Sequence, residues 1–257
     1  ESADARRLRV LQVNKFHFFN GGAEYYYLGL SELLRSHGHV VGHFSMKHPE
    51  NLPCEQADYF VENVDFDHPG GLPAKLRIAM NTVYSREARK KIAALLNNES
   101  YDVAHLHNFH HQITPSILPE LKRRGIPIVF MVHDFKVVCP NYRLLTHDGL
   151  CERCRGGRFY NAALHRCTKG SLLASAVNTI EMYTHRLMKY DSLYDVFVTP
   201  ARFTGNKIIE FGIPAEKVTY VPNFVRVERY EPQYEPGDYL LYLGRLSQEK
   251  GVATLVE

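Results

Sequence analysis

The 257-residue sequence contains no tryptophan, five methionines and five cysteines. It has no uninterrupted apolar run approaching the ~18 residues that a membrane-spanning helix needs. Its first residues, from Glu1 to Arg9, are too polar for the apolar core of a secretory signal peptide. No segment recurs at a fixed period, which excludes a solenoid. We therefore expect a soluble cytoplasmic protein, associated at most peripherally with the cytoplasmic face of a membrane.

Hydrophobic residues make up 45% of the chain and charged residues 23%, so a disordered chain is excluded. The net charge is +3. Residues 143 to 170 alone hold six Lys or Arg against two Asp or Glu, which exceeds the net charge of the whole chain. Because the basic character is local, we expect no nucleic-acid partner.

Short β-branched runs alternate with amphipathic stretches, the pattern of a parallel sheet covered by helices. The sequence therefore predicts an α/β, Rossmann-like fold with helices on both faces of the sheet. The predicted strands are Leu8 to Val13, Val40 to Ser45, Asp102 to Leu106, Pro127 to His133, Val196 to Thr199 and Val218 to Val221. The predicted helices are Ala23 to Ser36, Arg86 to Leu96, Pro115 to Arg124, Ser171 to Lys189 and Arg202 to Phe211.

The domain organisation follows from a change in composition near the end of the chain. Prolines and charges in residues 222–237 indicate a linker after a first domain of residues 1–221, which carries a cysteine-rich insert at 139–170. Residues 238–257 read as a new strand, Tyr239 to Leu243, then a loop and the first turns of a helix from Gly251 to Glu257. So short a segment has too little surface to bury, and we expect a truncated second Rossmann-like domain.

Glycine and polar residues stand at the places where open α/β sheets bind ligands. Gly21-Gly22-Ala23-Glu24 lies between the first predicted strand and its helix, where a helix N-terminus favours an anion or a sugar. His133-Asp134 directly follows the most hydrophobic strand, and His105 to Asn108 ends the preceding one. We expect these groups to face one crevice.

A second candidate site lies in the loop from Gly244 to Gly251. The guanidinium of Arg245 can bind a diphosphate through two parallel hydrogen bonds, and the ammonium of Lys250 can bind the same group as a single compact charge. The alternative is an ordinary solvated loop.

Taken together, these segments resemble the retaining, nucleotide-sugar-dependent glycosyltransferases of family four, which have the two-domain GT-B fold. The resemblance spans essentially the whole chain, from the N-terminal acceptor-side domain to the first unit of the donor domain. The segments that carry it are Gly21-Gly22-Ala23-Glu24, Asp102-Val103-Ala104-His105, His133-Asp134, Val221-Pro222-Asn223 and Gly244-Arg245-Leu246 with Glu249-Lys250-Gly251.

The resemblance implies a hexosyltransferase whose donor is a nucleotide-diphospho-sugar and whose acceptor is a glycan or a lipid-linked molecule of surface polysaccharide or glycolipid synthesis. Arg245 and Lys250 would bind the donor diphosphate and stabilise the leaving group, His133 would lie close to the transferred sugar, and no catalytic metal would be needed. The substrate-binding set would comprise Gly21, Gly22, Glu24, His107, Asn108 and Asp134. The family's paired donor-binding glutamates are absent from this chain, so we expect it to be inactive as given.

Asp65-Phe66-Asp67 matches a metal motif of another glycosyltransferase fold. Three-residue patterns arise readily by chance, and this one lies in a Pro- and Gly-containing stretch away from any predicted strand end. We interpret it as a solvated loop.

Four of the five cysteines lie within residues 139–170. Cys151 and Cys154 form a CxxC knuckle, and Cys139 and Cys167 flank it, which predicts a structural zinc site with four thiolate ligands. His147 and His165 are possible substitute ligands. Two disulfides, free thiols and an iron–sulfur cluster remain as alternatives.

The cysteine-rich stretch also carries Arg153, Arg155 and Arg158 beside Tyr160. This basic surface would suit a lipid-phosphate acceptor or an anionic membrane, and the alternative is a solvated loop. A non-catalytic reading of the chain also stays open, in which it is a binding module whose zinc knuckle contacts a protein or nucleic acid.

Overall fold

The computed structural model describes residues 6–64, 70–146, 149–246 and 250–256. The chain forms two compact units, one ending at Asn223 and the other beginning at Phe224. The Asp65-Phe66-Asp67 motif and His147 lie outside the described residues.

The first unit is built around a parallel six-stranded sheet with the strand order β2-β1-β3-β4-β7-β8. The inner strands are short, largely apolar and at least half buried, as buried parallel strands require, whereas two of the three residues of the edge strand β8 are exposed. The register pairs Val13 with Phe44 on one side and with Leu106 on the other. The strands are β1 (Arg9–Val13), β2 (Val40–Phe44), β3 (Val103–Leu106), β4 (Ile128–Met131), β7 (Val196–Thr199) and β8 (Val218–Tyr220).

Helices of this unit connect successive strands. They are α1 (Gly22–Ser36), α2 (Leu72–Val83), α3 (Arg86–Asn98), α4 (Leu118–Arg123), α5 (Tyr160–Leu164), α6 (Leu172–Leu187) and α7 (Arg202–Glu210). Ser85 and Ser171 cap α3 and α6 by accepting hydrogen bonds from Ala88 N and Ala174 N. Within the described ranges, no helix is long and apolar enough to span a bilayer.

One hydrophobic core joins the sheet to its helices. Leu11, Leu106 and Phe130 of the sheet and Ile92 of α3 are at least 97% buried. Burying aliphatic and aromatic side chains of this size contributes about 1.5–3 kcal/mol each, relative to exposure. The core therefore fixes the positions of the strand ends, where the polar residues lie.

The predicted α/β alternation is confirmed, and each predicted strand of this unit lies within two residues of the observed one. The predicted helix Pro115 to Arg124 is divided into a 3₁₀ turn (Pro115–Ile117) and α4. Helix α2 was not predicted. Residues 139–170 contain a small antiparallel hairpin, β5 (Leu145–Thr146) with β6 (Gly149–Leu150), a 3₁₀ turn and α5.

The second unit contains a 3₁₀ turn (Val227–Arg229) and a short helix, α8 (Val252–Val256). The predicted strand from Tyr239 to Leu243 is wrong: no strand forms there in the described part of this unit, and Leu240 is 88% exposed. A strand needs a neighbour to pair with its N–H and C=O groups, and apolar sequence alone does not supply one.

Candidate active site

The polar residues meet at the carboxyl ends of the central strands. In the strand order, β2 lies on one side of β1, and β3 and the later strands lie on the other. The strand order therefore reverses between β1 and β3. Open α/β sheets bind ligands at the crevice formed there. Asn14 follows β1, His107 follows β3 and His133 follows β4 shortly after its last residue.

A chain of hydrogen bonds links Gln12, His107 and His133. Nε2 of His107 donates to the amide oxygen of Gln12 at 2.6 Å, and Nδ1 of His107 lies 3.1 Å from Nε2 of His133. Because a neutral imidazole carries one proton, His107 Nδ1 must accept, and His133 Nε2 must donate. His133 is thereby left with an unprotonated Nδ1 that can accept a hydrogen bond.

Burial keeps these imidazoles neutral. It lowers the pKa of His133 to about 4, and burial with the nearby His133 lowers the pKa of His105 to about 4. The pKa of the fully buried His107 is lowered well below its ordinary value by burial and by the neighbouring histidines. The predicted residues His107 and His133 therefore come together as uncharged groups, and His133 is the one at the crevice.

Asn14 connects three elements of the site and was missed by sequence reasoning. It is completely buried, and its amide nitrogen donates to Glu24 Oε1 at 3.2 Å and to Phe16 O at 2.8 Å. Its amide oxygen accepts from Asn108 N at 3.0 Å. In the sequence, the one indication of its role is its position as a polar residue directly after the first strand. The predicted Glu24 is 4% exposed, so its carboxylate holds Asn14.

The N-terminus of α1 opens beside these residues. Gly21 is its N-cap, with no side-chain hydrogen bond, and Gly22 is exposed. Apart from its chain neighbours and the backbone of its own helix, a Cβ placed on Gly22 would meet no protein atom within 4 Å. Internal packing therefore does not require glycine here, and the space next to the helix N-terminus is free for a polar or anionic ligand.

Asp134 and Lys15 add charged groups at the same edge. The Asp134 carboxylate accepts from Lys136 N at 2.9 Å. Burial raises the pKa of Asp134, and the positive charges of Lys136 and Lys15 partly offset that rise. Lys15 follows Asn14, and its backbone N–H donates to Asn108 O at 2.8 Å. Lys15 was not predicted.

Tyrosines of α1 pack against the histidines. The ring of Tyr26 meets that of His133 edge-on, with centroids 5.7 Å apart. The fully buried Tyr27 hydroxyl lies 2.8 Å from Nδ1 of both His17 and His43. Helix α1 is therefore fixed to the sheet by aromatic contacts as well as by Glu24.

Arg245 and Lys250 belong to the second unit, where both are exposed. Tyr242 donates through its hydroxyl to Arg245 O at 2.8 Å. The role of Arg245 and Lys250 at a donor diphosphate stays a prediction.

The family model of Glycosyltransferase Family 4 matches residues 20–229. The chain belongs to glycosyltransferase family 4. The match covers Gly21, Gly22, His107 and His133, so all the strand-end groups from α1 onward lie inside it. This confirms the resemblance at the level of the family, while the retaining mechanism stays a prediction.

Several solved structures align with this chain at low sequence identity. The chain is 12% identical to the catalytic domain of starch synthase IV from Arabidopsis thaliana bound to ADP and acarbose, with a TM-score of 0.47, over 90% of this chain and 54% of that one. The chain is 10% identical to MurG from Acinetobacter baumannii, with a TM-score of 0.42, over 85% of this chain and 46% of that one. It is 12% identical to the UDP-GlcNAc 2-epimerase from Neisseria meningitidis bound to UDP-GlcNAc, with a TM-score of 0.45, over 84% of this chain and 47% of that one.

The chain thus spans about half the length of these structures. No curated protein sequence matches it significantly. Family membership therefore rests on the family model alone.

The four predicted metal ligands, Cys139, Cys151, Cys154 and Cys167, line one small cavity. Cys139 and Cys154 are buried, Cys151 and Cys167 are half-buried, and none forms a disulfide. The structure does not show the predicted zinc site, which stays a prediction: among the described residues, no group of three or more His, Cys, Asp or Glu side chains is arranged to hold a metal ion. The Cys139 thiol instead donates to Asn141 Oδ1 at 2.9 Å. His165 is exposed and does not line the cavity.

A buried ion pair joins the loop after His133 to α6. Lys136 Nζ lies 2.7 Å from Glu181 Oε2, and His111 Nε2 lies 3.2 Å from the same oxygen. Lys136 Nζ also donates to Pro140 O. Burial raises the pKa of Glu181, but Lys136 and His111 lower it by more, so the net pKa lies below its usual range.

An open groove of about 1100 Å³ lies between α2, α3, α4 and α6. Apolar residues including Met80 and Ile180 line it, together with basic residues at its rim. The basic residues are Arg86, Arg89, Lys90 and Arg123, of which Arg89 and Arg123 pair with Glu120, an acidic residue of the same lining.

Proposed function

We propose that this chain is the acceptor-side part of a retaining hexosyltransferase with the GT-B architecture. It would act with a donor domain to transfer a sugar from a nucleotide-diphospho-sugar to a glycan or lipid-linked acceptor in surface polysaccharide or glycolipid synthesis. The observation that carries the proposal is the Gln12–His107–His133 hydrogen-bond chain, which ends at the crevice between the central strands.

In this proposal His133 positions the sugar. Its Nδ1 accepts a hydrogen bond from a sugar hydroxyl, because Nε2 is committed to His107. With its pKa at about 4, the ring stays neutral near pH 7 and keeps this acceptor available. Gln12 and His107 act through His133, so they are positioning residues.

The open N-terminus of α1 supplies the polar surface beside the sugar. Gly22 leaves room for a diphosphate or an acceptor hydroxyl to approach the backbone N–H groups. Arg245 and Lys250 would neutralise the departing nucleoside diphosphate, which is the electrostatic part of catalysis. Asn108 and Asp134 border the same edge of the sheet and complete the proposed binding set.

The proposed acceptor brings the protein to a membrane surface on the cytoplasmic side. The groove between α2 and α6 combines exposed apolar side chains, Met80 and Ile180 among them, with a basic rim. Exposed Arg158 and Tyr160 lie in the cysteine-rich segment. Apolar contact together with basic charge favours anionic lipid headgroups. Sedimentation with anionic vesicles at low salt should retain the protein, whereas neutral vesicles should not.

The function is tested with a polypeptide that joins this chain to a complete donor domain. We expect transfer from one nucleotide-diphospho-sugar of a panel, with the anomeric configuration of the product, read by NMR, equal to that of the donor. His133→Ala should lower kcat by about 10²-fold or more, as loss of a positioning contact does. His165→Gln, a substitution at an exposed histidine, is the control. An inverted product would refute the retaining mechanism, and absence of turnover with every donor would favour a binding module.

A further inference from the structure

The fold brings all four cysteines of residues 139–170 to one place. Cys139 precedes the β5–β6 hairpin, Cys151 and Cys154 follow it, and Cys167 follows α5. They nevertheless line a single cavity with Asn141, Thr146 and a few apolar residues. The fifth cysteine, Cys54, is not part of this lining. No carboxylate or imidazole lines the cavity, so thiols are its characteristic donors.

The cavity has room for one small guest. Its volume is about 10 Å³, which is close to the minimum for one water molecule. Four thiolates around a guest of that size are the ligand set of a tetrahedral structural zinc ion.

The surrounding segment has a small hydrophobic core. Its Cys154 and Phe159 form a buried cluster with Met182 of α6. Small segments with so little core are commonly held by disulfides or by a metal. The described cysteines form no disulfide.

We propose that Cys139, Cys151, Cys154 and Cys167 bind one Zn²⁺ ion, which the described conformation does not yet accommodate. The sulfur atoms are not arranged as ligands in that conformation. Rotation of the thiols between staggered positions about Cα–Cβ moves the sulfurs without displacing the backbone. Binding replaces the Cys139–Asn141 hydrogen bond and releases four protons as the thiols become thiolates.

Zinc would also support the candidate active site. The backbone N–H of Cys139 donates to Phe135 O at 2.8 Å, and Phe135 N donates to Tyr142 O at 3.0 Å. Phe135 follows His133-Asp134 closely, so fixing Cys139 also fixes the loop after these residues. The inference does not depend on the proposed function, because metal binding is measured directly.

The test is metal analysis of untagged protein produced with zinc in the medium. We expect about one zinc per chain in the unmodified protein and in Cys54→Ser, the matched control, and a loss of zinc in Cys154→Ser. Replacement of zinc by Co²⁺ should give thiolate-to-metal charge transfer and the intense visible bands of tetrahedral coordination. These two readings use the unmodified protein, so they hold even if Cys154→Ser does not fold.

Less than about half an equivalent of zinc, or a cobalt spectrum without thiolate charge transfer, would overturn the site. An intact mass that shows disulfides between these cysteines would assign them to structural bridges instead. Equal loss of zinc in Cys54→Ser and Cys154→Ser would assign the metal elsewhere.

Discussion

The His107 imidazole donates through Nε2 to the amide oxygen of Gln12 at 2.6 Å, and both residues are completely buried. This one contact determines the protonation of His133 at the crevice, because His107 must then accept from His133. The Nε2 of the Gln12 amide has no partner within the described part of the chain, so Gln12 positions His107 through its amide oxygen.

Gln12→Leu should disturb both histidines. It leaves the buried His107 N–H without an acceptor, at a cost of about 1–3 kcal/mol in the free energy of unfolding. Long-range ¹H–¹⁵N NMR should show both rings protonated at Nε2 in the unmodified protein and a mixture of tautomers in the variant. Gln12→Glu keeps an acceptor oxygen and should preserve the tautomers. A His107 ring protonated at Nδ1 in the unmodified protein would contradict this assignment.

Gly22→Ala should weaken substrate binding without lowering the stability of the protein. The added methyl meets no protein atom beyond its chain neighbours and its own helix backbone, and alanine is favoured over glycine in a helix, so the melting temperature should be equal or slightly higher. If a substrate approaches this backbone, the added methyl group lies in its path. The unfavourable contact, of about 1–3 kcal/mol, should raise KM by roughly tenfold. The kinetics are measured with the donor domain present.

A comparison variant for that experiment is Gly42→Ala. A Cβ on Gly42 would collide with the ring and hydroxyl of Tyr101, so this variant should lose stability instead. Unchanged kinetics in Gly22→Ala would remove Gly22 from the proposed binding set.

Stability should fall as the pH is lowered from about 6.5 to about 4. The pKa values of His17, His105 and His133 are lowered to about 4 in the folded protein, against an unfolded value of 6.5. Between these values the unfolded chain binds more protons, so the free energy of unfolding decreases as the pH falls, by about 1.4 kcal/mol per pKa unit and group.

Urea unfolding at several pH values measures this dependence. His105→Gln should flatten it, because one titrating group is lost, whereas the exposed control His165→Gln should leave its slope unchanged. A slope in His105→Gln equal to that of the unmodified protein would show that His105 does not contribute.

Glu181→Gln should destabilise the protein by about 3–5 kcal/mol, since it leaves Lys136 as a buried charge without its partner. The matched control is Glu62→Gln, which breaks the solvent-exposed pair with Lys47 and should leave the unfolding midpoint unchanged. Denaturant titration at neutral pH measures both. Equal midpoints for the two variants would mean that the Lys136–Glu181 pair contributes little to stability.

Much of the fold could be predicted from local sequence. The strand Val196 to Thr199 was predicted to the residue, because a short β-branched run bounded by polar residues carries its own signal. Helix α2 was not predicted, and its exposed Leu76 and Met80 show why: the apolar residues do not lie on a single buried face. Tyr239 to Leu243 had the composition of a strand, but the described part of the second unit holds no strand with which it could pair.

The candidate site was predictable in part for a similar reason. His133 and His107 follow apolar strands, so their position at the sheet edge could be read from their neighbours in sequence. Asn14 could not be assigned in this way, because its importance lies in contacts with Glu24 and Asn108, which are distant in the chain. Glu24 looked like a ligand-binding residue, and only its burial shows that it holds Asn14.

The sequence by itself determined the alternation of strands and helices, the family and the residue types at the strand ends, because these depend on local composition and order. Only the tertiary structure decided which polar groups share hydrogen bonds, which histidine faces the crevice and that four separated cysteines line one cavity. Those properties depend on distances between residues far apart in the chain, and packing of the sheet against its helices sets these distances.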